Sequence, residues 1–451
     1  MKYNVLQCYE ADVVSSENPY QFEQNELFEM ALRVNKKRQF LFVSKLLGKH
    51  LAVHPTIPKL TSHLLAHRFM EVRFSYRSIL AERIAHSIET SSNLTEMYEE
   101  SYLKRFYCPT KAVVIGFAET ATALGHAFFE KFSGDTYFVH TTRENLQDVA
   151  PIITFEEEHS HASSHRIYGD VSIFQSCEEF ILVDDEMTTG NTNCNIIEQL
   201  HEKFPNVKIF TLISILDFRS NEACEKMDAL AERLNVKIHS ISLYKATFTI
   251  EKLVEDMHEQ HYEQVPLLNS YSEYDFEYMM KNHIKMHESK NEFGQIQQAN
   301  LLKYSGTMPI SPLMNSYANE KAKEIAGLLN NAREDREACL VLGTGEFMYF
   351  PNEVAIQMGD NVYYHSSTRS PIYADPQSII FNKIEFPSVE FPGVKNYLYN
   401  IPYNKYSTIF VLFERILDRK AAALLYSELK EYAEHVHIVT LGGGVYATSA
   451  R

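Results

Sequence analysis

An α/β protein of two successive units is the fold the sequence predicts, and three observations predict it. Apolar strands alternate with stretches of helical spacing between about 111 and 245, the pattern of a parallel sheet covered by helices. A second alternation of this kind starts at Cys339. Between them, residues 251–300 are rich in Glu, His, Gln, Asn and Tyr with few apolar periods, which places a connecting segment there. A length of 451 residues accommodates more than one core. The expected division is a first unit over 25–250, the connection, and a second unit over 301–451.

In chain order, the first thirty residues read as irregular or weakly helical. Phe40-Leu41-Phe42-Val43, behind the basic run Lys36-Lys37-Arg38, reads as a short strand or buried turn, and 61–107 has mostly helical spacing. Ala112-Val113-Val114-Ile115 is an apolar strand ending at Gly116, followed by a helix through Leu124, Phe128 and Phe129 and a strand over 136–139. Phe180-Ile181-Leu182-Val183 is a buried strand, for which Glu178 and Glu179 are too polar. A helix carries Ile196, Ile197 and Leu200, and 208–215 and 237–243 supply two further strands. In the second unit, 339–342, 361–364, 408–413 and 437–441 read as strands, with a helix from about Asp418.

Composition excludes several classes. Apolar residues make up 45% and charged residues 23%, a globular balance. No run approaches eighteen apolar residues, so no membrane-spanning helix is expected. With no apolar targeting stretch behind Met1, the expected location is cytoplasmic. A formal charge of -16 opposes binding to nucleic acid or an anionic membrane, while leaving room for a small anionic substrate in a locally positive cleft. Six cysteines without a C-x-x-C pair argue against a zinc knuckle or a disulfide framework. There is no G-x-x-x-x-G-K-[ST], and Gly343-Thr344-Gly345 is only half a dinucleotide fingerprint.

The units echo each other. Val114-Ile115-Gly116-Phe117-Ala118-Glu119-Thr120 parallels Val341-Leu342-Gly343-Thr344-Gly345-Glu346-Phe347. Phe138-Val139-His140-Thr141-Thr142-Arg143 parallels Tyr363-Tyr364-His365-Ser366-Ser367-Thr368-Arg369 with one inserted residue. A degenerate internal duplication and convergence of short strand-loop pieces both account for this.

The most informative segment is Val183-Asp184-Asp185-Glu186-Met187-Thr188-Thr189-Gly190-Asn191-Thr192. Two carboxylates stand where a buried strand emerges, and a Thr/Gly turn then opens a helix. N–H groups of such a turn and its first helical turn can surround a phosphate, and threonine hydroxyls add donors. Carboxylates suit sugar hydroxyls or a hydrated magnesium ion instead. An acidic turn with an ordinary capped helix is the plainer alternative.

Residues 181–192 resemble the phosphoribosyl pyrophosphate motif of type I phosphoribosyltransferases: apolar strand, paired acids, two variable positions, then Thr-x-Gly-x-Thr. The segments Phe40-Leu41-Phe42-Val43-Ser44-Lys45, Gly116-Phe117-Ala118-Glu119-Thr120-Ala121-Thr122 and His140-Thr141-Thr142-Arg143 resemble the branch associated with bacterial tellurium-resistance and stress gene clusters. Its members often carry a C-terminal domain named for Thr-Arg-Ser-Pro, here Thr368-Arg369-Ser370-Pro371.

The resemblance implies a type I phosphoribosyltransferase-like parallel sheet followed by a second α/β domain, the TRSP domain, for which a degenerate duplicate and convergence both stay open. By carry-over, Asp184 and Asp185 would bind the ribose hydroxyls or help position Mg2+. Thr188, Thr189, Gly190, Asn191 and Thr192 would form the 5-phosphate loop. Gly116, Phe117, Ala118, Glu119 and Thr120 occupy the place of the pyrophosphate loop, in a form that departs from the family's basic or glycine-rich versions. Arg143 would contact pyrophosphate or lie exposed beyond its strand. Lys45, Lys49 and His50 would make an electropositive rim or merely solubilise an edge. Residues 155–166, with His159, His161, His165 and Arg166, sit where the family carries a mobile hood. Thr188 stands where purine-salvage members place an acid, so hypoxanthine or guanine should not be inferred.

The implied activity is magnesium-dependent phosphoribosyl transfer from phosphoribosyl pyrophosphate to a small nucleobase-like or nucleotide-like acceptor, releasing pyrophosphate. A non-catalytic regulator that binds a phosphoribosyl ligand, or a related phosphorolytic or hydrolytic enzyme, are the alternatives. A homo-oligomer and a stress-cluster protein partner both stay open.

Overall fold

The computed structural model describes residues 1–34, 39–155, 164–253, 270–333 and 337–443. Five parallel strands form the centre of the first sheet, in the spatial order Thr136–His140, Ala112–Gly116, Glu179–Val183, Ile209–Asp217 and Lys237–Lys252. Numbered along the chain that order is 2-1-3-4-5, so its direction reverses between the Gly116 and Val183 strands. Register sets Gly116 directly opposite Val183. The loops leaving these two carboxyl ends therefore emerge side by side, at the crevice where such sheets receive ligands.

The N-terminus departs from expectation. Lys2–Val5 and Tyr9–Glu17 are antiparallel strands that extend the sheet beyond Lys237–Lys252. Tyr9, Ala11 and Val13 turn inward at alternate positions, a period too short to stand out from the polar residues between them. Phe40–Ser44 is a strand, paired with Phe28–Leu32 in a hairpin. The expected helices are present as Thr56–Phe74, Ile79–Thr90 and Leu94–Leu103.

Glu179 corrects another expectation, because it opens the buried strand and is itself fully buried. Its carboxylate accepts from Thr110 Oγ1 at 2.9 Å, from Thr211 Oγ1, and from Arg73 Nη2 at 3.3 Å. A charge with three donors can stay inside a sheet where an unpaired one could not.

The second sheet runs Ser270–Asp275, His435–Thr440, Thr408–Phe413, Cys339–Gly343, Val362–Ser366, with every pair parallel. Within the stretch read as a connection, Ser270–Asp275 is thus an edge strand of this sheet, and the hairpin Ile284–Lys290 with Ile296–Leu302 precedes the second unit's first helix. Residues 254–269 lie outside the described part.

Without that edge strand the chain order is 2-1-3-4, the order of the first unit. The correspondence reaches single hydrogen bonds. Thr141 N donates to Gly116 O at 2.9 Å and Ser367 N to Gly343 O at 3.0 Å. Ala118 N donates to Thr141 Oγ1 at 2.8 Å and Gly345 N to Ser367 Oγ at 3.1 Å. Glu144 N donates to Thr142 Oγ1 at 3.0 Å and Ser370 N to Thr368 Oγ1 at 3.1 Å. Arg143 and Arg369 are therefore equivalent positions. Shared topology, register and loop bonding favour duplication over convergence of two short motifs.

Candidate functional site

A cleft of about 540 Å³ opens at the reversal point of the first sheet. One side is the loop 184–190. Asp185 N donates to Asp184 Oδ1 at 2.9 Å, and Asp185 O accepts from Ile215 N at 3.1 Å and Leu216 N at 3.2 Å, which fixes the backbone beneath the paired acids. Helix Asn191–Lys203 then begins at Gly190, where Thr189 Oγ1 accepts from Asn191 N at 3.3 Å. Gly190 has φ +71°, and a Cβ there would lie 3.2 Å from Arg219 Cδ. Arg219 is held by a two-point contact to Asp217, at 2.9 and 2.7 Å, and so buttresses the turn from behind.

The second side is the loop after Gly116. A Cβ on Gly116 would meet Ala121 O at 2.5 Å, so glycine lets the following helix close onto the strand end. Phe117, Ala118, Glu119 and Thr120 line the cleft. Glu119 is a carboxylate facing a supposed anion, and its geometry explains it: Oε2 accepts from the backbone N–H of Arg369 at 3.2 Å. The reciprocal contact exists, because Glu346 Oε1 accepts from Arg143 N at 2.9 Å. Each unit thus offers one loop glutamate to the other unit's arginine backbone.

The third side comes from the second unit. Thr368, Arg369, Ser370 and Pro371 of the second unit face Asp184 and Asp185 across the cleft, with Val394, Lys395 and Tyr397 beside them. From the N-terminal hairpin come Arg33, Val34, Leu41 and Phe42. Lys49 lines the cleft and donates to Thr120 Oγ1, whereas Lys45 pairs with Glu29 at 3.7 Å and takes no part. Burial, reinforced by Lys49, His365 and Arg33, holds His50 well below the usual imidazole range, so it adds no charge to the rim.

Among the expected site residues, Asp184, Asp185, Thr188, Thr189, Gly190, Thr192, Arg143 and the loop 117–120 share this cleft. Gly116 and Asn191 do not line it. Asn191 Oδ1 accepts from Lys226 Nζ at 2.5 Å, so its side chain braces the helix start instead. His159 and His161 lie outside the described residues, while His165 is buried next to Arg143, Arg369 and Arg166.

Residues 27–247 match a family model described as a phosphoribosyl transferase, and 306–429 match the model of the TRSP domain that follows it. The chain carries a type I phosphoribosyltransferase-like domain followed by a TRSP domain. No curated protein matches the sequence. Adenine phosphoribosyltransferase of Rhodothermus marinus is 11% identical over 48% of this chain and 94% of its own, with a TM-score of 0.27. The enzyme of Trypanosoma brucei is 14% identical over 33% of this chain, with a TM-score of 0.23, and only 62% of its length is spanned. Orotate phosphoribosyltransferase of Aeropyrum pernix is 17% identical over 38% and 78%, with a TM-score of 0.19.

The TRSP domain's own counterpart of the cleft is closed. Register equates Val183 with Leu412, which puts Phe413 at the place of Asp184 and Glu414 at that of Asp185. Only about 10 Å³ remains there, between Glu346, Glu390, Glu414 and Arg415. Its helix Arg419–Leu429 is capped by Asp418, whose Oδ1 accepts from Lys420 N at 2.9 Å and Ala421 N at 3.1 Å. Where the phosphoribosyltransferase-like domain has a neutral threonine hydroxyl at its helix start, the TRSP domain places a carboxylate.

Proposed function

We propose that the chain transfers a phosphoribosyl group from phosphoribosyl pyrophosphate to a small acceptor, releasing pyrophosphate. One observation carries this reading: the loop 184–192 and the loop 117–120 meet in a single cleft at the sheet's reversal point. Asp184 and Asp185 accept hydrogen bonds from the ribose hydroxyls. N–H and hydroxyl groups of the 188–192 turn hold the 5-phosphate. Lys49, Arg143 and Arg369 face the negative charge that grows on the departing pyrophosphate. Val34, Leu41, Phe42, Val394 and Tyr397 supply a largely apolar wall suited to a flat acceptor.

Magnesium fits the donors present. Among the described residues no group of three or more His, Cys, Asp or Glu could form a protein cage. Mg2+ characteristically binds through one or two carboxylates plus substrate phosphates and retained waters, which Asp184 and Asp185 can provide. When bound it would offset charge on the leaving group.

The test is incubation of the full chain with phosphoribosyl pyrophosphate, magnesium and a metabolite extract. Acceptor-dependent pyrophosphate and a phosphoribosylated mass are expected, and both should vanish in Asp184→Asn/Asp185→Asn. Full activity in that variant removes the ribose clamp, and binding without turnover assigns a regulatory role.

A further inference from the structure

A second chamber of about 170 Å³ adjoins the cleft at Arg143 and Arg369. Its walls are fixed by hydrogen bonds between the units. Lys290 N donates to Asn145 O at 2.9 Å, Gln147 N to Glu288 O at 2.8 Å, and Ser289 Oγ to Glu144 Oε2 at 2.6 Å. Opposite them stands Arg166, whose backbone pairs with Thr142. Four cations line the chamber, Arg143, Arg166, Lys290 and Arg369, against the carboxylates Glu144 and Glu292. Glu144 is already engaged by Arg415 and Ser289. In a chain of formal charge -16 this is a local reversal of sign.

Two of these cations each hold one buried nitrogen that makes no hydrogen bond among the described residues. The Arg143 side chain is 10% exposed, and its Nη1 is buried without a hydrogen bond, 3.8 Å from Glu346. Arg369 Nη2 is likewise buried without a partner, its guanidinium lying 4.3 Å over the Phe391 ring. Guanidinium groups do not shed their protons, so an incoming acceptor lowers the cost of these buried N–H groups. Burial and the charge of Arg143 together hold Arg369 below its ordinary range. Burial, with Arg143, Arg369 and Arg166, also keeps His165 neutral.

We propose that this chamber is a second anion site, built for a compact, multiply charged phosphate. Arg166 and Lys290 border only this chamber, whereas Arg143, Arg369 and Glu292 border both it and the cleft. A diphosphate released beside the Gly116 loop can therefore cross from one face of the paired guanidinium groups to the other. That assignment rests on the transfer reaction proposed above, but the existence of the site does not.

The probe is inorganic pyrophosphate, titrated calorimetrically into the full chain with magnesium present. Wild type should show two classes of site. Arg166→Ala/Lys290→Ala should weaken one class by about tenfold or more, as expected for losing charge-assisted hydrogen bonds. Lys290→Glu, at an exposed position that leaves the fold intact, should weaken it severalfold. Affinity for phosphoribosyl pyrophosphate should stay unchanged in both variants. If the variants also relieve inhibition of turnover by pyrophosphate, the occupant is the departing product. If inhibition is unaltered, the occupant is a separate phosphate-bearing effector. A single class of site in wild type, or wild-type affinity in the variants, overturns the proposal. A wild-type chain that binds pyrophosphate twice but never phosphoribosyl pyrophosphate would remove the transferase reading and leave this site standing.

Discussion

Lys59→Met should loosen the joint that sets the TRSP domain against the first. Lys59 lies on Thr56–Phe74, and its Nζ is 2.8 Å from Glu130 Oε2 and 2.8 Å from Glu353 Oε2, with all three side chains at 0–1% exposure. Glu353 and Tyr349 belong to Tyr349–Met358 of the second unit, and the Tyr349 ring lies 3.8 Å from the ammonium. Burial acts to lower the Lys59 ammonium, but Glu130 and Glu353 outweigh it and raise it well above the usual range. Methionine keeps the volume and leaves two buried carboxylates facing one another. Breaking a buried pair costs about 3–5 kcal/mol. At roughly 2–4 °C per kcal/mol for a large domain, the melting temperature should fall on the order of 10 °C. Glu353→Gln removes the surplus negative charge while keeping the shape, and should cost only about 1 kcal/mol. Scanning calorimetry of the three proteins decides the matter. A Lys59→Met melt within about 2 °C of wild type would mean the network is not a joint.

Four further outcomes follow from the geometry. Burial lowers His63 and His365 to about 4, so the stability tied to their neutral forms is complete above their unfolded value of 6.5 and lost as pH falls toward 4. The urea midpoint should therefore drop over that window, and a flat midpoint would refute it. Glu414 acts oppositely: burial raises it to about 7 from 4.5, so its contribution is lost as pH rises between those values, and Glu414→Gln should flatten that loss. Gly190→Ala places a side chain at φ +71° and should cost about 1 kcal/mol, with phosphoribosyl pyrophosphate affinity falling further than melting temperature predicts. Arg369→Ala should weaken phosphoribosyl pyrophosphate by about tenfold or more, with Arg369→Lys recovering only part, because the planar fork is lost; unchanged affinity in a direct titration would leave Arg369 a structural role.

The chemistry-bearing strands were readable because each is an unbroken apolar run ending abruptly in polar residues, as at Val183 and Gly116. Their adjacency was not, since it depends on a strand order that periodicity does not encode. Glu179 was misplaced because polarity alone ignores donors brought in from Arg73, Thr110 and Thr211, far away in sequence. Tyr9–Glu17 alternates over too few inward positions to announce a strand. A role for Thr368-Arg369-Ser370-Pro371 in shaping the first unit's site is one of two readings the sequence leaves open, and its placement could not be fixed for a different reason. It arises from docking two units, and the linking carboxylates Glu119 and Glu346 are unremarkable in the sequence until their partners are known.

Asp418 gives the TRSP helix a counter-charge that is covalently its own. A helix start of that kind is finished before any small molecule arrives. The helix that opens at Gly190 has a neutral hydroxyl there instead, Thr189 Oγ1 accepting from Asn191 N at 3.3 Å. One helix start is therefore neutralised by its own carboxylate, while the other keeps the positive end of its dipole without a covalent counter-charge.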